Sequence, residues 1–154
     1  MCPCRRQLFA AYSEGWGLYS EYLGEEMGMY KTPYDIFGRL SMEMMRAVRL
    51  VVDTAIHSKG WSIEQCIDYM MEKTGMHRHE VDTEIYRYAS WPGQACAYKI
   101  GQIEILRLRK LAEDSLGDKF SLKQFHSLCL TSGPMTLELL KNLIQEYIDE
   151  TLKN

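Results

Sequence analysis

Apolar residues in this chain recur three and four positions apart almost from end to end, and nowhere do they alternate over a convincing strand-length run. Leu8, Phe9, Tyr12, Trp16 and Tyr19 set the pattern in "LFAAYSEGWGLY". That spacing follows the 3.6-residue turn of an amphipathic helix, so the expected fold class is all-α. Punctuation divides the chain into about seven helices. The first covers about Arg6 to Met29 and ends before "YKTPYD", where Thr32 caps and Pro33 takes the first helical position of the second. That helix runs to about His57, with Gly60 as terminator. A third starts at Ser62, with Gln65 completing a capping box, and stops near Gly75. A fourth spans about His79 to Ala89. The fifth opens at Pro92 and continues to about Leu116. Ser121 and Gln124 form a second capping box for a short sixth, and the last spans about Met135 to Leu152. With no repeat or long linker, residues 1–154 read as one helical domain, with 1–8 and 153–154 as tails.

Length and charge narrow the function classes. A chain of 154 residues, 46% hydrophobic and 25% charged, is long enough to bury a core. A net charge of −3, with no basic stripe, gives nucleic acid no footprint. No apolar run reaches the ~20 residues that span a bilayer. The five cysteines are odd in number and scattered, which does not make a disulfide framework. Cys2-Pro3-Cys4 has no second pair to complete a zinc site. Free thiols and the absence of a secretory leader favour a cytoplasmic location. The helical pattern starts almost at residue 1, which implies the tail of something longer.

Two helices carry polar stripes in apolar surroundings. Glu14, Glu21 and Glu25 lie 7 and 11 residues apart on one face of the first. In "SMEMMRAVRLVVDTAIH", Arg46, Arg49, Asp53 and His57 follow at spacings of three, four and four. Buried charge needs partners, and the carboxylates of the first helix are the obvious ones. The plainer reading is an ion-pair seam between helices. The sharper one is a polar active-site wall with His57 as hydrogen-bond donor or proton carrier. In "EIYRYASWPGQACAYKIG", Arg87 and Tyr88 precede a Pro-Gly break, with Gln94 and Tyr98 four apart beyond it. Such a break exposes helix N-terminal amides that attract anions, or simply forms a corner with core tyrosines. His77, His79 and His126 form no metal set, and no His-Glu-x-x-His occurs.

Four segments, "EGWGLYSEYLGEEMGMY", "RAVRLVVDTAIHSKGWSIEQCIDYM", "EIYRYASWPGQACAYKIGQIEILRLR" and "FHSLCLTSGPMTLELL", resemble in order and spacing the C-terminal part of the domain-of-unknown-function family 885 (DUF885). That family looks like a branch of the helical zinc metallopeptidases that includes thimet oligopeptidase and carboxypeptidase Taq. The resemblance implies a larger zincin-like helical domain, a peptide substrate and a catalytic zinc. It makes Glu14 a metal ligand and puts Glu21 behind it or facing substrate. It also makes His57 and Tyr98 donors to the oxyanion of a tetrahedral intermediate, and Arg87 a holder of a substrate carboxylate. Arg49 and Asp53 would orient their neighbours. Ala55 stands where the family more usually has Gly. The upstream His-Glu element is missing, so this chain alone is expected to hold no zinc and to be inactive. Its partners would then be the missing N-terminal half or a second copy. The alternative is a non-catalytic helical module that binds through the surface the missing half would cover. A third possibility is an isolated chain that folds poorly for want of that packing.

Overall fold

Side-chain caps start the helices where the sequence places them. The Thr32 hydroxyl accepts from the Asp35 amide while the Asp35 carboxylate accepts from the Thr32 amide, and Pro33 occupies the first turn. Ser62 and Gln65 bond reciprocally in the same way. Ser121 accepts from the Gln124 amide. The computed structural model describes residues 9–153. It contains α1 (Ala10–Glu26), α2 (Pro33–Thr54), α3 (Ile63–Thr74), α4 (Arg78–Ser90), α5 (Ala97–Leu116), α6 (Leu122–Thr131) and α7 (Leu137–Lys153). Among the described residues there is no strand, so the all-α expectation of seven helices holds. Residues 1–8 and 154 of the expected tails, Cys2 and Cys4 among them, lie outside the described residues. Lys153 is the last residue of α7.

The first helix stops at Glu26, short of the Met29 read in the sequence, and two others depart from their expected boundaries more markedly. The last turn of α2 widens into a π-helical segment, Ala55–Lys59, closed by Gly60 in the left-handed conformation (φ 71°). The fifth helix begins at Ala97 rather than Pro92, because residues 92–96 form successive turns in which Cys96 N–H bonds to the Gly93 carbonyl and Ala97 N–H to that of Gln94.

Two apolar cores organise the seven helices. One gathers Tyr12 and Tyr19 of α1, Ile105 and Leu108 of α5, Phe125 and Cys129 of α6, and Leu140, Ile144 and Ile148 of α7. The other gathers Met45, Val48 and Val52 of α2, Cys66, Ile67 and Met70 of α3, and Val81, Ile85 and Tyr88 of α4. Burying each large aliphatic side chain contributes about 1.5–3 kcal/mol before entropy is counted. Helix α5 links the halves. It packs on α1 through a glycine pair, where a Cβ on Gly101 would lie 2.6 Å from the Gly15 Cα and 2.9 Å from the Ala11 carbonyl carbon. Only hydrogen fits there. The polar stripe of α2 therefore lies between the two cores, walled by α4 and α5.

Candidate functional site

Arg49 is the centre of the polar wall. Its Nε donates to the Tyr88 hydroxyl at 2.7 Å and its Nη2 to Glu84 Oε2 at 2.9 Å. The guanidinium lies against the Tyr98 ring, 5.0 Å from its centroid, and 5.5 Å from that of Tyr88. Glu84 also receives Arg87 Nη2 at 3.0 Å and a short bond from the Tyr88 hydroxyl. Arg87 Nη1 reaches Gln94 Oε1 at 2.9 Å. Burial alone would push the Glu84 carboxyl up, but hydrogen bonds from Arg87 and Tyr88 and the Arg49 charge hold it below its usual range. Burial, reinforced by the bond to Glu84, raises the Tyr88 hydroxyl.

Asp53 holds the Pro-Gly corner. Its two carboxylate oxygens accept from the Gly93 amide at 3.0 and 3.2 Å. The exposed amide expected at this break is thus taken by the chain's own anion. Burial and the Asp53 carboxylate push the neighbouring Cys96 thiol up to about 11. His57 lies in the π segment, exposed, with Nε2 3.0 Å from the Tyr88 carbonyl. A carbonyl only accepts, so Nε2 carries the proton and Nδ1 is left for another partner. π turns of this kind recur at functional sites.

The acids of α1 meet the stripe only in part. Glu21 lies 3.7 Å from Arg46, and Glu25 lies 2.7 Å from Arg39. Glu43 joins Arg39 to Lys99 of α5, which also bonds Gln102. This is the ion-pair seam, and it engages Arg46 as expected. Arg49 instead finds its acid on α4. Glu84 had a readable signal, since it stands three and four residues before Arg87 and Tyr88 on one helix face. Glu14 heads the acidic stripe half-buried, and among the described residues it has no hydrogen-bond or ion-pair partner. The Tyr98 hydroxyl likewise makes no hydrogen bond among the described residues. Glu14, His57 and Tyr98 make no contact with one another comparable to the Arg49 cluster.

Among the described residues, no three His, Cys, Asp or Glu side chains gather as a metal would require. Catalytic zinc takes three protein ligands and an open position, so Glu14, unpartnered among the described residues, does not by itself fit the metal. Cys66, Cys96 and Cys129 are free and buried. His126 belongs to a separate polar group, in which the buried Tyr19 hydroxyl accepts from Arg109 at 3.2 Å and donates to His126 Nε2 at 2.8 Å. Arg109 is also paired with Glu26 at 2.7 Å. Among the described residues, no helix is long and apolar enough to cross a membrane.

Comparison with known proteins places this arrangement in a family. The family model described as "Bacterial protein of unknown function (DUF885)" matches residues 2–144. The crystal structure of the "putative lipoprotein from Colwellia psychrerythraea" is similar at 48% identity with a TM-score of 0.90. The match covers 92% of this chain and 24% of that one, so the chain spans about a quarter of the relative's length. No curated protein matches the chain.

Proposed function

The chain belongs to the DUF885 family, and from that premise we propose that it is the C-terminal portion of a zinc-dependent peptidase-like protein related to the helical metallopeptidases of the thimet oligopeptidase and carboxypeptidase Taq kind. The observation that carries this reading is Glu14. Of three carboxylates on one stripe, Glu21 and Glu25 face arginines, whereas Glu14 is half-buried with no partner among the described residues. A carboxylate kept free in that setting suits a ligand supplied from outside this chain. In the reading proposed, Glu14 is one zinc ligand, and residues outside this chain supply the others.

This chain's remaining groups would act on the substrate. The free Tyr98 hydroxyl donates to a carbonyl oxygen as it gains negative charge, and Arg49 beneath the ring fixes its position. His57 offers Nδ1, as Nε2 is committed to Tyr88. Arg87, half-exposed, turns its guanidinium toward a peptide carboxylate from a scaffold of Glu84 and Gln94. Arg49 and Asp53 position these groups, and Glu21 ties α1 to α2 through Arg46. The chain alone is inactive because it lacks the other ligands.

The test is metal content by mass spectrometry on a family-length protein carrying these residues. Glu14→Ala should lose stoichiometric zinc and peptide hydrolysis, whereas Glu21→Ala should keep the metal. A family-length protein that purifies without zinc, or that keeps it in Glu14→Ala, would overturn the assignment. The second reading, a non-catalytic helical module, draws on the large apolar residues exposed on α2. It predicts a partner-bound form by light scattering and no zinc after dialysis.

A further inference from the structure

Helix α2 is apolar on two faces, one in the core and one in solvent. Its charged side chains face the rest of this chain: Arg39 (8% exposed) bonds Glu25 and Glu43, Arg46 faces Glu21, Arg49 (7% exposed) bonds Glu84, and Asp53 bonds Gly93. Met45, Val48 and Val52 join the second core, but a further set of large apolar side chains faces solvent, with Tyr34 84% and Phe37 70% exposed and Leu40, Met44 and Val51 exposed beside them. A helix on a monomer's surface keeps that outer face polar. Phe37, Leu40, Met44, Ala47 and Val51 follow at three, four, three and four, the seam spacing of a helix that packs against another helix. From Pro33 to Met44 no residue of α2 joins either apolar core, and the stretch is tied to α1 and α5 by the ion pairs of Arg39 and Glu43. Methionine and aromatic side chains dominate this stretch, and Met27 and Met29 extend the patch at the end of α1.

We infer that the Tyr34–Val51 face of α2 is an internal docking surface, covered in a family-length protein by an apolar helical surface from the part of the domain that this chain does not contain. Two observations fix the occupant. The Colwellia relative holds this fold at a TM-score of 0.90 within a chain of which it is only 24%, so most of that protein has this fold to pack against. The face presents no free charge, since the charges of α2 between Arg39 and Asp53 are spent on α1, α4, α5 and the Gly93 amide. A charged partner would bury its ions against it unpaired. The inference rests on reading the chain as part of a longer protein, but not on zinc or hydrolysis.

The relative's crystal structure supplies the first test: the residues aligned with Phe37, Leu40, Met44 and Val51 should be buried under segments outside the matched quarter. The second is Phe37→Asp with Met44→Asp, made in the 154-residue chain and in a family-length protein. The short chain should keep its circular dichroism and melting temperature, because both side chains face water, and the family-length protein should melt several degrees lower. Exposed equivalents in the relative, or an unchanged melt in the family-length variant, would overturn the inference. So would a dimer of the short chain in sedimentation equilibrium that the double substitution dissociates, because a second copy would then be the occupant. A metal-free family-length protein that still shows the melting shift would refute the zinc reading and leave this one standing.

Discussion

Gly101→Ala puts a methyl group where α1 and α5 touch backbone to backbone. The new Cβ would sit 2.6 Å from the Gly15 Cα and closer still to the Ala11 carbonyl oxygen. Carbon atoms rest about 3.5 Å apart, so the helices must separate by at least about 0.9 Å. Neither obstacle is a flexible side chain that could swing away. A gap of that size forfeits at least about a quarter of the dispersion energy across the seam. Leu18 and Tyr19 of α1 and Ile105 and Leu108 of α5 are buried around it. If they share about 100 atom pairs at about 0.15 kcal/mol each, the loss is about 4 kcal/mol. Alanine's helix propensity returns about 1 kcal/mol. The net cost of about 3 kcal/mol corresponds to a fall of about 6–12 °C in Tm for a chain of this size. The assay is thermal and urea unfolding of the 154-residue chain beside Gly17→Ala. A Cβ at exposed Gly17 meets nothing within 4 Å, so that variant should gain about 1 kcal/mol. If Gly101→Ala matches Gly17→Ala, the close approach of α1 and α5 is wrong.

Glu84→Gln keeps the shape of the Arg49 cluster but removes its anion, leaving the buried Arg49 guanidinium without a counter-charge. Urea unfolding should show a loss of about 3 kcal/mol, whereas Glu64→Gln, which breaks an exposed pair with Arg78, should change stability by less than about 1 kcal/mol. Burial and the Arg109 charge hold the His126 imidazole below its ordinary value. The unfolded chain therefore takes up that proton first, and stability falls as pH drops below about 6.5. His126→Gln, which keeps an acceptor for the Tyr19 hydroxyl, should flatten the Tm-against-pH curve in that window. Glu26, Glu43, Glu84 and Glu104 are all held below their usual range, so their stability is present above about 4.3 and is lost in stronger acid in either protein. Burial raises the thiols of Cys66, Cys96 (to about 11) and Cys129 (to about 12). Peptide mapping after brief alkylation should find these three unmodified in the native protein and modified in urea.

The helices were legible because their signals are local. Thr32, Pro33, Ser62 and Gly60 act within one turn of themselves, and the apolar period needs no knowledge of a partner. What escaped depends on residues distant in sequence. The start of α5 moves from Pro92 to Ala97, where Asp53, forty residues earlier, draws in the Gly93 amide. The α2 stripe needs acids, as its apolar surroundings imply, and Glu21 faces Arg46. The acid for Arg49, however, comes from α4, because α2 and α4 share a core that no single helix reveals. Gly15 and Gly101 each interrupt a helical pattern, and glycine inside a helix often marks a close backbone approach, but only the fold shows that the two meet. The site roles of Glu14, His57 and Tyr98 came from family resemblance, since spacing put each on a helix face without saying what lies opposite.

Glu84 and Asp53 also bear on what the wall can recognise. Each carboxylate sits on a donor that a ligand's carboxylate would seek: Arg49 and Arg87 in one case, the Gly93 amide in the other. Tethered by folded backbone, it competes at an effective concentration far above that of any dissolved anion. Small free acids are therefore shut out of both places. In the peptidase reading proposed above, a substrate's carboxylate would gain Arg87 only when the rest of the molecule is already anchored nearby, which would favour an extended chain with several points of attachment over its isolated terminal residue.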